Sequence, residues 1–76
     1  MSTLEHYLDD LGSLLKEQAL EAKRQHETAP VEEKCFCAGR LLAYNEVLSL
    51  MISQALAFGI DPEVINLSGF DPDQEL

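Results

Sequence analysis

The chain lacks the residues with which very small proteins usually reinforce a core. It contains no tryptophan and only two cysteines among its 76 residues. Because Cys35 and Cys37 have one residue between them, a disulfide joining them would close almost no loop. This cysteine usage is typical of a reducing compartment. Chains below about 70–80 residues rarely build a sufficient core alone, so we expect oligomerisation to stabilise this one.

Positive charge is scarce, and long apolar runs are absent. Five Lys and Arg residues accompany 14 Asp and Glu residues, which gives a net charge of −9. This balance argues against direct binding to nucleic-acid phosphates or to an anionic membrane surface. The most apolar stretch, residues 47–60, is shorter than the roughly 20 residues of a membrane span. Residues 1–5 do not resemble a secretory signal, so we expect a cytoplasmic protein.

Motifs for catalysis and metal binding are weak. Zinc-binding cysteine pairs usually have about two to four residues between them, whereas Cys35 and Cys37 have one. His6 and His26 are far apart in the sequence, and catalysis would also need a nucleophile and a converging pocket. We therefore interpret the cysteines as small apolar residues. We predict no catalytic residue, no metal, no cofactor and no enzymatic activity.

The first part of the chain has the pattern of an amphipathic helix. Ser2 and Glu5 have the spacing of a capping box, which predicts a helix that begins at about residue 3. Apolar residues then recur at alternating spacings of four and three, which is typical of a heptad seam. We predict a first helix over residues 3–26. The seam predicts that the core of a helical hairpin contains Leu4, Leu8, Leu11 and Leu15.

The rest of the chain predicts a second long helix and a short third element. Pro30 is tolerated in a first helical turn, and Gly59 is a typical residue after a helix C-terminus, so we place helix 2 at residues 30–58. The short connection predicts an antiparallel hairpin. Within a single domain of residues 1–76, we also predict a short helix at 62–66, a turn that returns Leu67 and Phe70 to the hairpin, and a frayed acidic tail at 71–76.

Helix 2 carries more apolar surface than one neighbouring helix can cover. No charged residue occurs between Val47 and Ile60, and the polar strip is narrow. The all-α hairpin is therefore predicted to dimerise into a four-helix arrangement. The predicted dimer interface consists of Leu41, Asn45, Leu48, Met51, Ile52 and Ala55. Asn45 either sets the register of that interface or lies at its rim.

Charge is distributed unevenly along the chain. All five basic residues lie between Lys16 and Arg40, whereas an antiparallel hairpin would bring carboxylates from both chain ends together. This predicted acidic pole contains Asp9, Asp10, Asp61, Glu63, Asp71 and Asp73, with Glu5 and Glu75 beside them. It is interpreted either as a solvated end of the molecule or as a docking surface that steers a basic protein.

The segments 39–48, 54–60 and 67–72, which read GRLLAYNEVL, QALAFGI and LSGFDP, resemble a group of small acidic proteins from temperate phages and prophages of Gram-negative bacteria. The resemblance covers about the C-terminal half of the chain. It implies a helical-hairpin dimer that binds and inhibits host proteins, including a quorum-sensing transcription activator. The motifs are not catalytic, so the resemblance implies no site residues.

Together these observations predict a non-enzymatic protein-binding module. The favoured hypothesis is a coiled-coil-like homodimer that inhibits a host regulatory protein, such as a transcription regulator, by masking its interface. One alternative is an acidic mimic of nucleic acid that blocks a basic DNA-binding cleft. A second alternative is a structural or assembly subunit of a larger complex.

Overall fold

A computed structural model of the protein describes residues 2–76, and Met1 lies outside the described residues. Within this range the chain is all-helical and contains no strand, as predicted. Two long helices pack against each other as a hairpin. The elements in chain order are α1 (Thr3–Thr28), a 3₁₀ turn (Val31–Glu33), α2 (Lys34–Ala57), a second 3₁₀ turn (Pro62–Ile65) and α3 (Pro72–Glu75).

The start of α1 has the predicted capping box. The Ser2 hydroxyl accepts a hydrogen bond from the Glu5 backbone N–H at 3.1 Å, and it donates to the Glu5 carboxylate at 3.3 Å. Satisfying these groups stabilises the otherwise unpaired N-terminal turn. The helix ends at Thr28, two residues beyond the predicted end, and Ala29 and Pro30 then adopt extended backbone.

The hairpin connection is tied to the end of α1 by a lysine. Lys34 begins α2, and its ammonium donates to the carbonyl oxygens of His26 at 2.5 Å and Glu27 at 3.4 Å. Carbonyl groups in the last turn of a helix have no partner within the helix, so a cation there satisfies them. The predicted start of helix 2 at residue 30 differs from the structure, in which a 3₁₀ turn comes before α2.

The C-terminus of α2 has the cap that Gly59 predicts. The Gly59 N–H donates to the Leu56 carbonyl at 3.1 Å, and the Ile60 N–H donates to the Ala55 carbonyl at 2.7 Å. Gly59 has a φ of +70°, a conformation that glycine adopts without steric cost. This pair of bonds is the Schellman arrangement, and it turns the chain sharply away from the α2 axis.

The core lies where α1, α2 and the segment after α2 meet. Its buried residues are Ala19, Leu48, Ala55, Ile65 and Leu67, and Leu8 and Leu15 pack against them. Leu4 is 66% exposed because it lies in the first turn of α1, before the core neighbours of that helix begin. Leu11 is only half-buried. The predicted hairpin core is therefore correct for Leu8 and Leu15 and wrong for Leu4.

Gly12, rather than Leu11, lies at the centre of the α1 contact in this region. A Cβ atom at position 12 would overlap the carbonyl oxygen of Ile65 and lie 2.8 Å from its carbonyl carbon. The backbone of the second 3₁₀ turn therefore lies directly on α1, an approach that only glycine permits. One turn further along α1, the Lys16 ammonium donates to the Asn66 side-chain oxygen at 3.2 Å and holds the same segment.

The last ten residues cover one side of the hairpin. Leu67 is buried and Phe70 packs against the core, as the sequence predicts. Residues 71–76 form a docked turn rather than a frayed tail, because Pro72 is buried and Leu76 packs against the core cluster. The Lys23 ammonium also donates to the Glu75 carbonyl at 2.9 Å. We call the side of the hairpin that residues 67–76 cover the covered side.

Replacing Gly12 by alanine should destabilise the fold, because the added methyl group must displace the Ile65 backbone. Overpacking of this kind costs about 1–3 kcal/mol in the free energy of unfolding. Gly39→Ala is the matched control, since nothing lies within 4 Å of a Cβ at that exposed helical position. It should be neutral or stabilise by up to about 1 kcal/mol. Urea unfolding at one fixed protein concentration measures both, and equal stabilities would contradict the close contact.

Candidate protein-interaction surfaces

The residue types that carry catalysis or bind metals are dispersed. Cys35 is exposed and Cys37 half-buried, and neither forms a disulfide. His6 and His26 lie near opposite ends of α1. Among residues 2–76, no three His, Cys, Asp or Glu side chains are grouped so that they could hold a metal ion.

The side of α2 that was predicted to form the dimer faces the core of its own subunit. Leu48 and Ala55 are buried there, and Met51 and Ile52 pack against them. Leu41 is half-buried. Leu48 and Ala55 have no surface left for a second subunit, because α1 and the C-terminal segment already cover them. A partner can reach α2 only from its other sides.

Asn45 binds the C-terminal turn within the subunit. Its side-chain N–H group donates to the Pro72 carbonyl at 3.1 Å and lies 3.3 Å from the Asp73 carboxylate. Its side-chain oxygen accepts a hydrogen bond from the Ser49 hydroxyl at 3.3 Å. These bonds give this polar residue an intramolecular role that neither sequence-based alternative included.

The carboxylates of the predicted acidic pole do not all lie at one end of the hairpin. Asp9 and Asp10 lie on the second turn of α1, whereas Asp73 lies beside Asn45 and Glu75 beside Lys23. Lys23 is 14 positions along α1 from Asp9, about 21 Å at 1.5 Å per residue. The pole is therefore divided, because the C-terminal turn docks along the hairpin instead of staying at its open end.

Two carboxylates of this set stabilise local turns. Asp61 accepts a hydrogen bond from the Glu63 N–H at 3.0 Å, and Asp71 accepts one from the Asp73 N–H at 3.0 Å. Each lies just before a proline that opens a helical turn. Side-chain oxygens at this position satisfy N–H groups that have no partner in the turn. These two aspartates thus have a structural role in addition to their charge.

The side of α2 turned away from the core is apolar and exposed. Phe36, Ala43, Leu50 and Ala57 are seven residues apart, so they lie in one row along the helix. All four are exposed, Phe36 at 75% and Leu50 at 63% of their surface. We call these four residues the outer stripe. Soluble monomers rarely expose large contiguous apolar surfaces, so the outer stripe is a candidate surface for association.

A second apolar surface lies between the two long helices. Opposite the covered side, the Tyr44 hydroxyl donates to the Gln18 side chain at 2.9 Å, and Arg40 donates to Gln25. Residues three, four and seven positions apart lie on the same side of a helix, so this side of the hairpin continues along both helices toward its open end, far from the loop. The surface, which we call the open face, consists of Tyr7, Leu11 and Leu14 on α1 and Val47, Met51 and Phe58 on α2.

Within residues 2–76, no segment of the chain covers the open face. Tyr7 is 61% exposed and Phe58 76%, and Leu14 and Val47 are also exposed. Leu11 and Met51 are half-buried at the base, where the two helices meet. The sequence pattern could have shown this surface, because Tyr7 and Leu14 widen the apolar stripe of α1 and lie seven residues apart.

The segment Val31–Ala57 is long and apolar enough to span a membrane by length and composition alone. Only 6% of its most apolar 18-residue window is buried in the subunit. Soluble core helices and signal sequences pass the same test, so a single segment of this kind is weak evidence for a membrane span. The finding has the same origin as the outer stripe, namely apolar side chains around most of the circumference of α2.

Comparisons with known proteins give no match. No family model matches the chain, and no curated protein or solved structure matches it. The resemblance to small acidic phage and prophage proteins therefore stays a prediction.

Removing the Asn45 side chain should loosen the C-terminal turn. Asn45→Ala deletes the bonds to Pro72 and Asp73 and leaves the Pro72 carbonyl without this donor, which costs about 1 kcal/mol per bond. Amide hydrogen exchange should therefore quicken in residues 70–76, while the centre of α1 stays protected. Ser53→Ala, at an exposed position of α2, is the control and should change neither region. Unchanged exchange in Asn45→Ala would show that these bonds do not hold the turn.

Proposed function

We propose that the protein is a non-enzymatic protein-binding module that forms a homodimer through the outer stripe. The observation that carries this proposal is the exposure of Phe36 and Leu50 on the side of α2 turned away from the core. Covering an apolar side chain stabilises an assembly by about 25 cal/mol per Å² of buried surface, before the costs of association. A second copy of α2 provides a matching apolar surface.

The two α2 helices of the dimer run antiparallel, with the centre of the outer stripe, between Ala43 and Leu50, at the two-fold axis. In this register each large residue of the stripe meets a small one: Phe36 lies opposite Ala57 of the partner subunit, and Leu50 lies opposite Ala43 of the partner subunit. Alternation of large and small side chains lets two helices interlock closely. Each subunit contributes a hairpin whose own helices also run antiparallel, which the contacts of Gln18 with Tyr44 and Gln25 with Arg40 support. The result is a four-helix arrangement.

The dimer acts by covering an interface of another protein, which it thereby inhibits. Support comes from a second apolar surface, the open face, that remains after the outer stripe is used. The resemblance to phage and prophage inhibitors of host proteins points to a host regulator as the target. The test is a reconstituted assay of a regulator that binds the protein. An equimolar amount of the protein should abolish the activity of that regulator. Unchanged activity in the presence of excess protein would contradict masking.

We place the protein in the cytoplasm. Arg40 and Glu46 lie in the middle of the segment that is long enough to span a membrane. A charged residue at the centre of a spanning helix costs about 2.5–3.5 kcal/mol on insertion scales, so a span through this segment is unfavourable. Fractionation of expressing cells should recover the protein in the soluble fraction, also after a high-salt wash of the membranes. Recovery only with detergent would contradict this placement.

Placing a charge in the outer stripe should dissociate the dimer without unfolding the subunit. Leu50→Asp leaves the subunit core intact because Leu50 is largely exposed, so sedimentation should give a monomer with unchanged helical circular dichroism. Leu56→Asp makes the same substitution at an exposed position on another side of α2 and should remain dimeric. Leu48→Asp should instead unfold the subunit, because it buries an unpaired charge. A dimeric Leu50→Asp variant would mean that another surface forms the dimer.

A further inference from the structure

We propose that the open face binds an amphipathic α-helix of another protein, with Lys and Arg residues beside the apolar stripe of that helix, on the side that faces α1. This inference rests on the proposed protein-binding function, for which it assigns the binding surface and the chemistry of the partner. It does not depend on the homodimer, which uses the outer stripe.

The shape of the open face suits a helix. Apolar side chains line it on both sides, with Tyr7 and Leu14 on α1 and Val47 and Phe58 on α2. Leu15 lies at the floor between the helices, where a surface depression is lined by Leu15, Arg40, Ala43, Tyr44 and Val47. Grooves between paired helices accept the apolar side of a third helix through residues at spacings of three and four.

Toward the end far from the hairpin loop, this groove has carboxylates along its α1 edge, whereas Arg40 lines the depression nearer the loop. Residues 16–40 contain five acidic and five basic residues and are therefore neutral in total. The remaining nine carboxylates of the chain lie in residues 1–15 and 41–76, which contain no Lys or Arg. The apolar part of the open face, which is built from residues 7–14 and 47–58, lies within these acidic regions.

Carboxylates also lie along the α1 edge of the groove. Asp10 precedes Leu14 by four residues and Glu17 follows it by three, so both are its neighbours on the helix surface. Glu17 and Leu14 line the same surface depression, together with Glu21 and Arg24, which form an ion pair with each other. The nearest cation in sequence, Lys16, points to the covered side, where it donates to Asn66. A helix bound in the groove would therefore meet acidic groups beside its apolar contacts.

This charge also decides against a second copy of the chain as the occupant. Two copies joined through their open faces with α1 packed on α1 would bring Asp10 and Glu17 of one subunit toward the same carboxylates of the other. Like charges across an interface oppose association, whereas Lys and Arg beside an apolar stripe are attracted to them. The occupant that both the shape and the charge favour is a basic amphipathic helix.

The probe is a fluorescently labelled synthetic helical peptide with a stripe of leucines flanked by lysines. The control peptide has the same leucines and carries glutamates in place of the lysines. Fluorescence anisotropy with the full-length chain should show binding of the lysine peptide and at least tenfold weaker binding of the glutamate peptide. Raising the salt concentration should narrow this difference, because screening acts on the charge contribution alone.

Two substitutions that add the same charge at the same end of the molecule locate the site. Leu14→Asp lies in the open face and should weaken binding of the lysine peptide at least tenfold. Leu56→Asp, at an exposed position of α2 outside the open face, should leave binding unchanged or slightly stronger. Both variants should keep the circular dichroism and the dimeric state of the unmodified protein, which sedimentation measures separately.

Each other outcome overturns the proposal. Equal binding of the two peptides would mean that charge does not select the partner. Equal binding by the unmodified protein and Leu14→Asp would mean that the peptide binds elsewhere. Conversion of Leu14→Asp to a monomer would mean that a second copy occupies the open face. Failure of the proposed dimer is recognised independently, because Leu50→Asp and its control Leu56→Asp test it by sedimentation without any peptide.

Discussion

The contact between Gly12 and the Ile65 carbonyl group determines which surfaces of the molecule are available. Because α1 has no side chain at this position, the backbone of the second 3₁₀ turn lies directly on the helix. This contact sets the position of the residues that follow Ile65. Leu67 enters the core, Phe70 packs against it, and the C-terminal turn reaches Asn45 and Lys23 on the covered side. The opposite side of the hairpin receives no cover, and it becomes the open face.

The second constraint is the composition of α2, which has apolar side chains around most of its circumference. α1 and the C-terminal segment bury one side, centred on Leu48 and Ala55. Phe36 and Leu50 stay in water on the other side of the subunit. The same composition accounts for the candidate membrane span and for the proposed dimer. In the first case lipid would cover the exposed apolar side chains of α2, and in the second a partner subunit would cover them. Arg40 and Glu46, near the centre of the segment, favour protein over lipid as that cover.

Local signals in the sequence predicted two of the helix caps, because each cap depends on a few neighbouring residues. Ser2 with Glu5 defined the start of α1, and Gly59 with Ile60 defined the end of α2. Long-range packing was predicted less well. A leucine heptad pointed to Leu4 and Leu11 as core residues, whereas the true seam includes Gly12 and Ala19, two small residues that carry little apolar signal. The predicted dimer contacts at Leu48 and Ala55 failed for the same reason, since periodicity identifies an apolar side of a helix but not the element that covers it.

The position of the outer stripe and the open face on one helix has a consequence for how a target is held. In the proposed dimer, the two α2 helices cross at the centre of the outer stripe, and each carries one groove along its flank. Because both grooves belong to one rigid dimer, the distance between them is fixed. Each α2 helix has 24 residues and is about 36 Å long. A target that is itself two-fold symmetric can then engage both grooves at once, and the second contact forms at a high effective concentration without any flexible linker. Weak individual grooves would be sufficient for tight and selective capture of dimeric targets over monomeric ones.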